Sequence, residues 1–194
     1  MFLKTAEDIK AFIENDKQLM FMLSQVRRLD LPDSWICAGI LRARIWDCQS
    51  GFRNRTPVHD ADVIYFDPQH IDYDFEQKLQ QDLLKRVPGV NWEVKNEARM
   101  HVHTPLAEPY TSTTDAISKF PETATAIGAR LNSSDKVILM VPQGISDLIH
   151  MIVRPTPFFA KSEDRLTVYR KRIKDKNWQK KWPSLQIKGI KTCI

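Results

Sequence analysis

The sequence predicts an α/β (α+β) protein built around one mixed β-sheet. Segments with apolar residues at helical spacing are interspersed with segments of alternating polarity: two helices, a glycine-opened helix, strand, helix, strand, then two strands and further helices. The 194 residues are 42% hydrophobic and 9% aromatic, enough apolar material for one packed core. A single domain over 1–194 is expected, with its core at about 35–155 and a basic helical tail at about 158–194.

Each element has a local reason. Thr5 followed by Asp8 has the spacing of a capping box, opening a helix over 6–14 whose Ile9, Phe12 and Ile13 share a face. Asp16 caps a second helix, in which Leu19, Met22, Leu23 and Val26 form the apolar stripe, and Pro32 lies beyond its end. In "SWICAGILRARIWDCQSG" a short apolar entry leads to Gly39 and then to a helix with Leu41, Ile45 and Cys48 on one face. Gly51 ends it. A strand is expected over 58–66, after the polar loop "FRNRTP", and a helix over 72–86 with Phe75, Leu79 and Leu83 on one side. Residues 90–103 alternate as a second strand, placing Trp92, Val94 and Asn96 on one face and Glu93, Lys95 and Glu97 on the other. Three prolines break 104–126 into loops and short helical pieces. "AIGARL" and "KVILMVP" read as strands joined by the turn-prone "NSSD"; helices at 145–152 and 163–175 complete the chain.

The net charge of +5 is unevenly spread: residues 161–194 hold eleven Lys or Arg against three acids, the rest eighteen against twenty-one. A basic tail is a solvated surface or an attractor of polyanions such as nucleic acid. Cys37, Cys48 and Cys193 match neither a disulfide framework nor a zinc site and are expected as reduced thiols. No apolar run approaches the roughly 18 residues of a membrane span, and the start lacks the pattern of a secretory signal, so a cytoplasmic protein is expected.

The chemistry is concentrated in "VHDADVIYFD". On a strand Asp60 and Asp62 project from one face, about 6.5–7 Å apart at Cα. Such like charges persist when solvated, matched by basic groups, or bound to a hard cation such as Mg²⁺. Upstream, Gly39 turns the chain into a helix whose N-terminus suits phosphate. Downstream, Glu93 offers a third carboxylate between bulky apolar neighbours.

A glycine before a helix, D-x-D on a strand and a lone acid on a neighbouring strand resemble the DNA polymerase beta superfamily of nucleotidyltransferases. The likeness is greater to a family of uncharacterised, mostly bacterial nucleotidyltransferase-fold proteins. It is carried by "AGILRARIWD" (38–47), "HDADVIYFD" (59–67), "WEVKNEARMH" (92–101), "RPTP" (154–157) and "KNWQKKWP" (176–183), and covers about 35–183. The resemblance implies a nucleotidyltransferase fold, with helices mainly on one face of the sheet and N- and C-terminal helical additions. It implies that Asp60, Asp62 and Glu93 are the catalytic, metal-holding acids, binding two Mg²⁺ ions (Mn²⁺ an alternative), with a nucleoside triphosphate as donor substrate. Glu93 completes the second metal site or accepts the hydroxyl proton. Gly39, Arg42, Lys95, Asn96, Arg99 and His101 are the implied phosphate or acceptor contacts. The acceptor is open, with nucleic acid reached through the basic tail as one candidate. The other reading is a non-catalytic module of this fold that binds nucleic acid or protein through Tyr169, Trp178 and Trp182 among the tail cations, although Trp178 and Trp182, four apart, read equally as a staple of the tail onto the domain.

Overall fold

The structure, a computed structural model, describes residues 2–189. Five strands form the main sheet in the order β3-β2-β1-β4-β5: β1 (Trp35–Cys37), β2 (Ala61–Tyr65), β3 (Trp92–Asn96), β4 (Gly128–Leu131) and β5 (Val137–Met140). Only β2 and β3 run parallel; they are joined by α4 (Tyr73–Arg86), as a parallel pair requires a crossover.

One face of the sheet is covered by α1 (Ala6–Asn15), α2 (Lys17–Arg27), α3 (Gly39–Gln49) and α4. Against it lie Ile36, Ala61, Val63, Tyr65, Trp92, Val94 and Ala129. The expected caps form. Thr5 and Asp8 make the reciprocal box at α1, and Asp16 accepts from the backbone N–H groups of Gln18 and Leu19 at α2. A smaller apolar cluster, Trp35, Cys37, Ile64 and Met140 with Ile117 and Ala126, lies on the opposite face under α6 (Thr113–Ser118). The rest of that face, around Asp62, Glu93 and Lys95, is open.

Two strands are shorter than the polarity pattern predicts. β2 starts at Ala61, so Asp60 stands just before it, where the loop from 51–60 enters the sheet. β3 stops at Asn96, not at His103, because the fully buried Asn96 side chain accepts from Ala98 N and caps α5 (Glu97–Met100). That helix continues as a single 3₁₀ turn, His101–His103. Alternation in "EARMHVH" is thus overridden by a side-chain cap.

The tail is docked onto this body. After α7 (Ser146–Ile149), β6 (Ile152–Val153) and α8 (Pro157–Ala160) comes α9 (Glu163–Lys176); β7 (Gln186–Ile187) then pairs in parallel with β6. Trp178 and Trp182 meet Trp46 edge to face, at centroid distances of 5.6 and 5.1 Å. The Trp182 indole N–H donates to Asp47 Oδ1 at 2.8 Å. Cys37 is buried and Cys48 partly so, while Cys193 lies outside the described residues. No helix among the described residues is long and apolar enough to cross a membrane.

Candidate active site

The site begins where β1 ends. Ala38 takes a positive φ of 53°, uncommon for a residue with a Cβ, and its N–H is held by Ile127 O at 2.9 Å. This turn swings the chain directly into α3, whose first turn has no side-chain cap. Its N–H groups and the positive end of the helix dipole therefore face the site unopposed.

Pairing across the sheet places the acids there. Asp62 is in register with Cys37 on β1 and with Glu93 on β3. Asp60, one residue ahead of β2, lies beside them. Carboxylate oxygens from Asp60, Asp62 and Glu93 all fall within 4.8 Å of one another. Gly39 faces the pair so closely that a Cβ there would stand 3.8 Å from Asp60 Oδ1 and 3.9 Å from Asp62 Oδ2.

The electrostatics follow. Burial, then the neighbouring Asp60 and Glu93 charges, push the Asp62 pKa up to about 6 against the opposing pull of Lys95 and Arg172. Burial works against the Lys95 charge, but its hydrogen bond to Glu93 and the carboxylates of Glu93, Asp62 and Glu97 outweigh this and raise its pKa. Burial, with Asp62 and Glu76 adding to it against Lys95 and Arg99, raises Glu97 to about 7. Arg42 is buried, which lowers its pKa to about 10; its guanidinium lies 4.3 Å from the Trp178 ring centroid and 4.9 Å from that of Trp46.

Two hollows meet at Asp62, Lys95, Ala38 and Arg172. The first, about 570 Å³, holds all three acids, Gly39 and Arg42, and is closed on its far side by Lys176, Trp178 and Lys181 from the tail. The second, about 320 Å³, runs over Cys37 and Ile64 towards Glu97, Tyr110 and Phe120.

Of the residues singled out from the sequence, the structure brings together Asp60, Asp62, Glu93, Gly39, Arg42 and Lys95. Asn96, Arg99 and His101, expected as phosphate or acceptor contacts, line neither hollow. The Asn96 amide donates to Asp67 O and His70 O and accepts from Asp67 N, a buried brace for the loop after β2. Arg99 is held by the buried Glu76 and lies 5.2 Å from the Tyr73 ring centroid. The His101 ring meets Tyr110 edge to face. Conversely, Arg172, Lys176 and Lys181 enter the site from the tail. Their position depends on how α9 docks, which sequence spacing does not encode. Glu97 was placed on the Glu93 face by the alternation, a signal that does point to the site.

Three half-buried carboxylates this close, with Lys95 already paired to Glu93, lack neutralisation that a hard divalent cation supplies. The residues present fit such an ion.

No curated protein matches the chain. A solved NMR structure described as revealing a CCA-adding enzyme head domain is 40% identical, with a TM-score of 0.87 over 96% of this chain and 97% of that one. The Thermotoga maritima CCA-adding enzyme complexed with tRNA gives a TM-score of 0.54 at 13% identity, covering 97% of this chain but 43% of that enzyme. A CCA-adding enzyme in apo form gives 0.52 at 12% identity, with 95% and 43% covered. At these identities the last two likenesses are of fold, and the chain spans less than half of either enzyme. The family model described as nucleotidyltransferase matches residues 24–187, nearly the whole of the described structure, and with it the chain belongs to the nucleotidyltransferase family.

Proposed function

We propose that the protein transfers a nucleoside monophosphate from a nucleoside triphosphate to an acceptor hydroxyl, with Mg²⁺ as cofactor and Mn²⁺ able to replace it. The observation that carries this is the convergence of Asp60, Asp62 and Glu93 within 4.8 Å beside the uncapped start of α3. These three acids hold the divalent ions. When bound, the ions supply charge neutralisation at the phosphates and activation of the attacking oxygen.

The chain's own groups do the rest. First-turn N–H groups of α3 receive phosphate oxygens at Gly39, and Arg42, Arg172, Lys176 and Lys181 balance the charge that builds on the leaving pyrophosphate. The acceptor oxygen bonds to the α-phosphorus as the bond to the bridging oxygen of the β-phosphate breaks. The hydroxyl proton passes to Glu93 or to solvent, and pyrophosphate takes up the electron pair. Such chemistry belongs in the cytoplasm, where triphosphates and Mg²⁺ are plentiful. The description of the 40%-identical relative as a CCA-adding enzyme head domain makes tRNA the first acceptor to try.

The binding-module reading loses its aromatic surface. Tyr169, Trp178 and Trp182 are 0%, 4% and 1% exposed, so none of these three rings is presented for a base to stack on. The test is divalent-dependent binding of labelled triphosphate followed by pyrophosphate release with acceptor present. Equal binding by the wild type and an Asp60→Ala, Asp62→Ala variant would sink the proposal.

A further inference from the structure

Arg42 lines the first hollow, is buried, and its Nε finds no hydrogen-bond partner among the described residues. Burial works against its charge; Glu122 favours it, Arg172 opposes it, and Asp62 and Asp60 favour it. What touches the guanidinium is aromatic: Trp178 at 4.3 Å and Trp46 at 4.9 Å to the ring centroids. Arg172, on α9, lies 5.9 Å from the same Trp178 ring, and its Nε donates to Oε1 of the fully buried Glu122 at 2.7 Å. Thr125 Oγ1 donates to the other oxygen of Glu122 at 2.8 Å. Two cations that repel are thus gathered at one indole, whose π face attracts each of them. Trp178 arrives there through a local signal. Asn177 ends α9 in the left-handed conformation, φ 42°, with its N–H on Ile173 O at 3.1 Å, and the turn seats Trp178 against Trp46.

From this geometry we infer that Trp178 is a positioning residue: its indole holds the Arg42 guanidinium, with Arg172 beside it, where phosphate oxygens enter the first hollow. The anion site is then complete only with the tail docked. The inference rests on the transfer reading above and deepens it. The choice of an aromatic partner has a chemical reason. A carboxylate would fix Arg42 equally well but would occupy its donors, whereas a ring orients the guanidinium and leaves its N–H groups unspent for a ligand. Packing alone does not account for Trp178, because the tail has a second anchor in Trp182, which meets Trp46 at 5.1 Å and donates to Asp47. Loss of the Trp178 ring therefore disturbs Arg42 before it releases the tail.

The test is a double-mutant cycle on Mn²⁺-dependent binding, read by titration calorimetry. Inorganic tripolyphosphate and the four common nucleoside triphosphates are tried on the wild type, and the tightest binder is carried through the cycle. Trp178→Leu and Arg42→Met are each expected to weaken binding about tenfold. The double variant should lose no more than about twofold beyond the weaker single variant, because Trp178 acts through Arg42. Trp178→Phe, which keeps a smaller aromatic face, should lose only about threefold. Thermal melting establishes that each variant is folded, and if Trp178→Leu is not, Trp178→Phe completes the same cycle. Three results would overturn the assignment and leave the transfer reading standing: Trp178→Leu binding as wild type does, Trp178→Phe losing as much as Trp178→Leu, or losses that multiply in the double variant. A wild type that binds none of these ligands removes both.

Discussion

Asp62 stands directly opposite Glu93 across the parallel β2–β3 pair. Two acids that would repel are thereby fixed side by side, with Asp60 added from the residue before β2. Backbone hydrogen bonds of the ladder hold them there, so the repulsion is stored in the folded state.

Burial of Asp62, with the Asp60 and Glu93 charges adding to it, has a definite sign in pH. The Asp62 pKa rises from 3.8 to about 6 on folding, so the folded state binds the extra proton. Stability from this group is fully present below about pH 4 and is lost as pH rises through 6. Metal-free Asp62→Asn should therefore melt above the wild type at pH 7.5, by about 2–6 °C, and level with it at pH 4. A lower melting temperature for the variant at pH 7.5 would contradict this assignment of strain.

Divalent cations should reverse the penalty. Adding Mn²⁺ or Mg²⁺ at pH 7.5 is expected to raise the melting temperature of the wild type and to leave Asp60→Ala, Asp62→Ala unmoved, since an ion that binds only the folded acids stabilises by mass action. Protons compete for Asp62, so the gain should shrink below about pH 6. Titration calorimetry at two pH values reads the same competition directly.

Arg99 offers a separation of structure from catalysis. It pairs with Glu76, which is 1% exposed and also accepts from Asn96 N. Arg99→Ala leaves a buried carboxylate with its charge uncompensated and should cost about 3–5 kcal/mol in denaturant unfolding. Triphosphate affinity of the fraction that remains folded should stay within about twofold, since Arg99 lines neither hollow. A loss of affinity without a loss of stability would return Arg99 to the site.

These cases show which parts of the molecule were readable from residues alone. Period and caps marked the helices: the Thr5–Asp8 box and the Asp16 cap are local, and each depends on three or four adjacent residues. The D-x-D pair and Glu93 were legible because alternation assigns a face before any partner strand is known. Asn96 and Arg99 were marked by the resemblance alone; alternation in "WEVKNEARMH" gives no warning that the buried Asn96 side chain turns the backbone into a helix and carries Arg99 to Glu76. Arg172, Lys176 and Lys181 were legible only as part of a basic tail, for another reason. Their arrival at the acids depends on Trp178 and Trp182 packing on Trp46, a contact between segments more than a hundred residues apart.

That packing predicts a shared effect on fold and site. Trp182 is fully buried against Trp46 and bonds Asp47, so Trp182→Ala should cost about 3–5 kcal/mol, whereas Trp182→Phe removes mainly the hydrogen bond, about 1 kcal/mol. Because Lys181 and Trp178 wall the first hollow, Trp182→Ala should also weaken triphosphate binding while the protein is still folded at low temperature. Chemical denaturation and a binding titration on the same samples separate the two effects.

Gly39 provides the sharpest division between folding and function. Its backbone is helical with no positive φ, and an added methyl would meet the two aspartates only at ordinary contact distances of 3.8 and 3.9 Å. Alanine is also the better helix former, by about 1 kcal/mol in a helix interior and less at this first position. Gly39→Ala should therefore melt at or slightly above the wild-type temperature. The methyl would nevertheless stand between the α3 N–H groups and the carboxylates, the space a phosphate with its cation must enter. Triphosphate affinity or turnover is expected to fall at least about tenfold, a loss of some 1.4 kcal/mol in binding. Full activity in Gly39→Ala would mean that phosphate does not approach the start of α3, and the orientation assigned to the donor would have to be reversed.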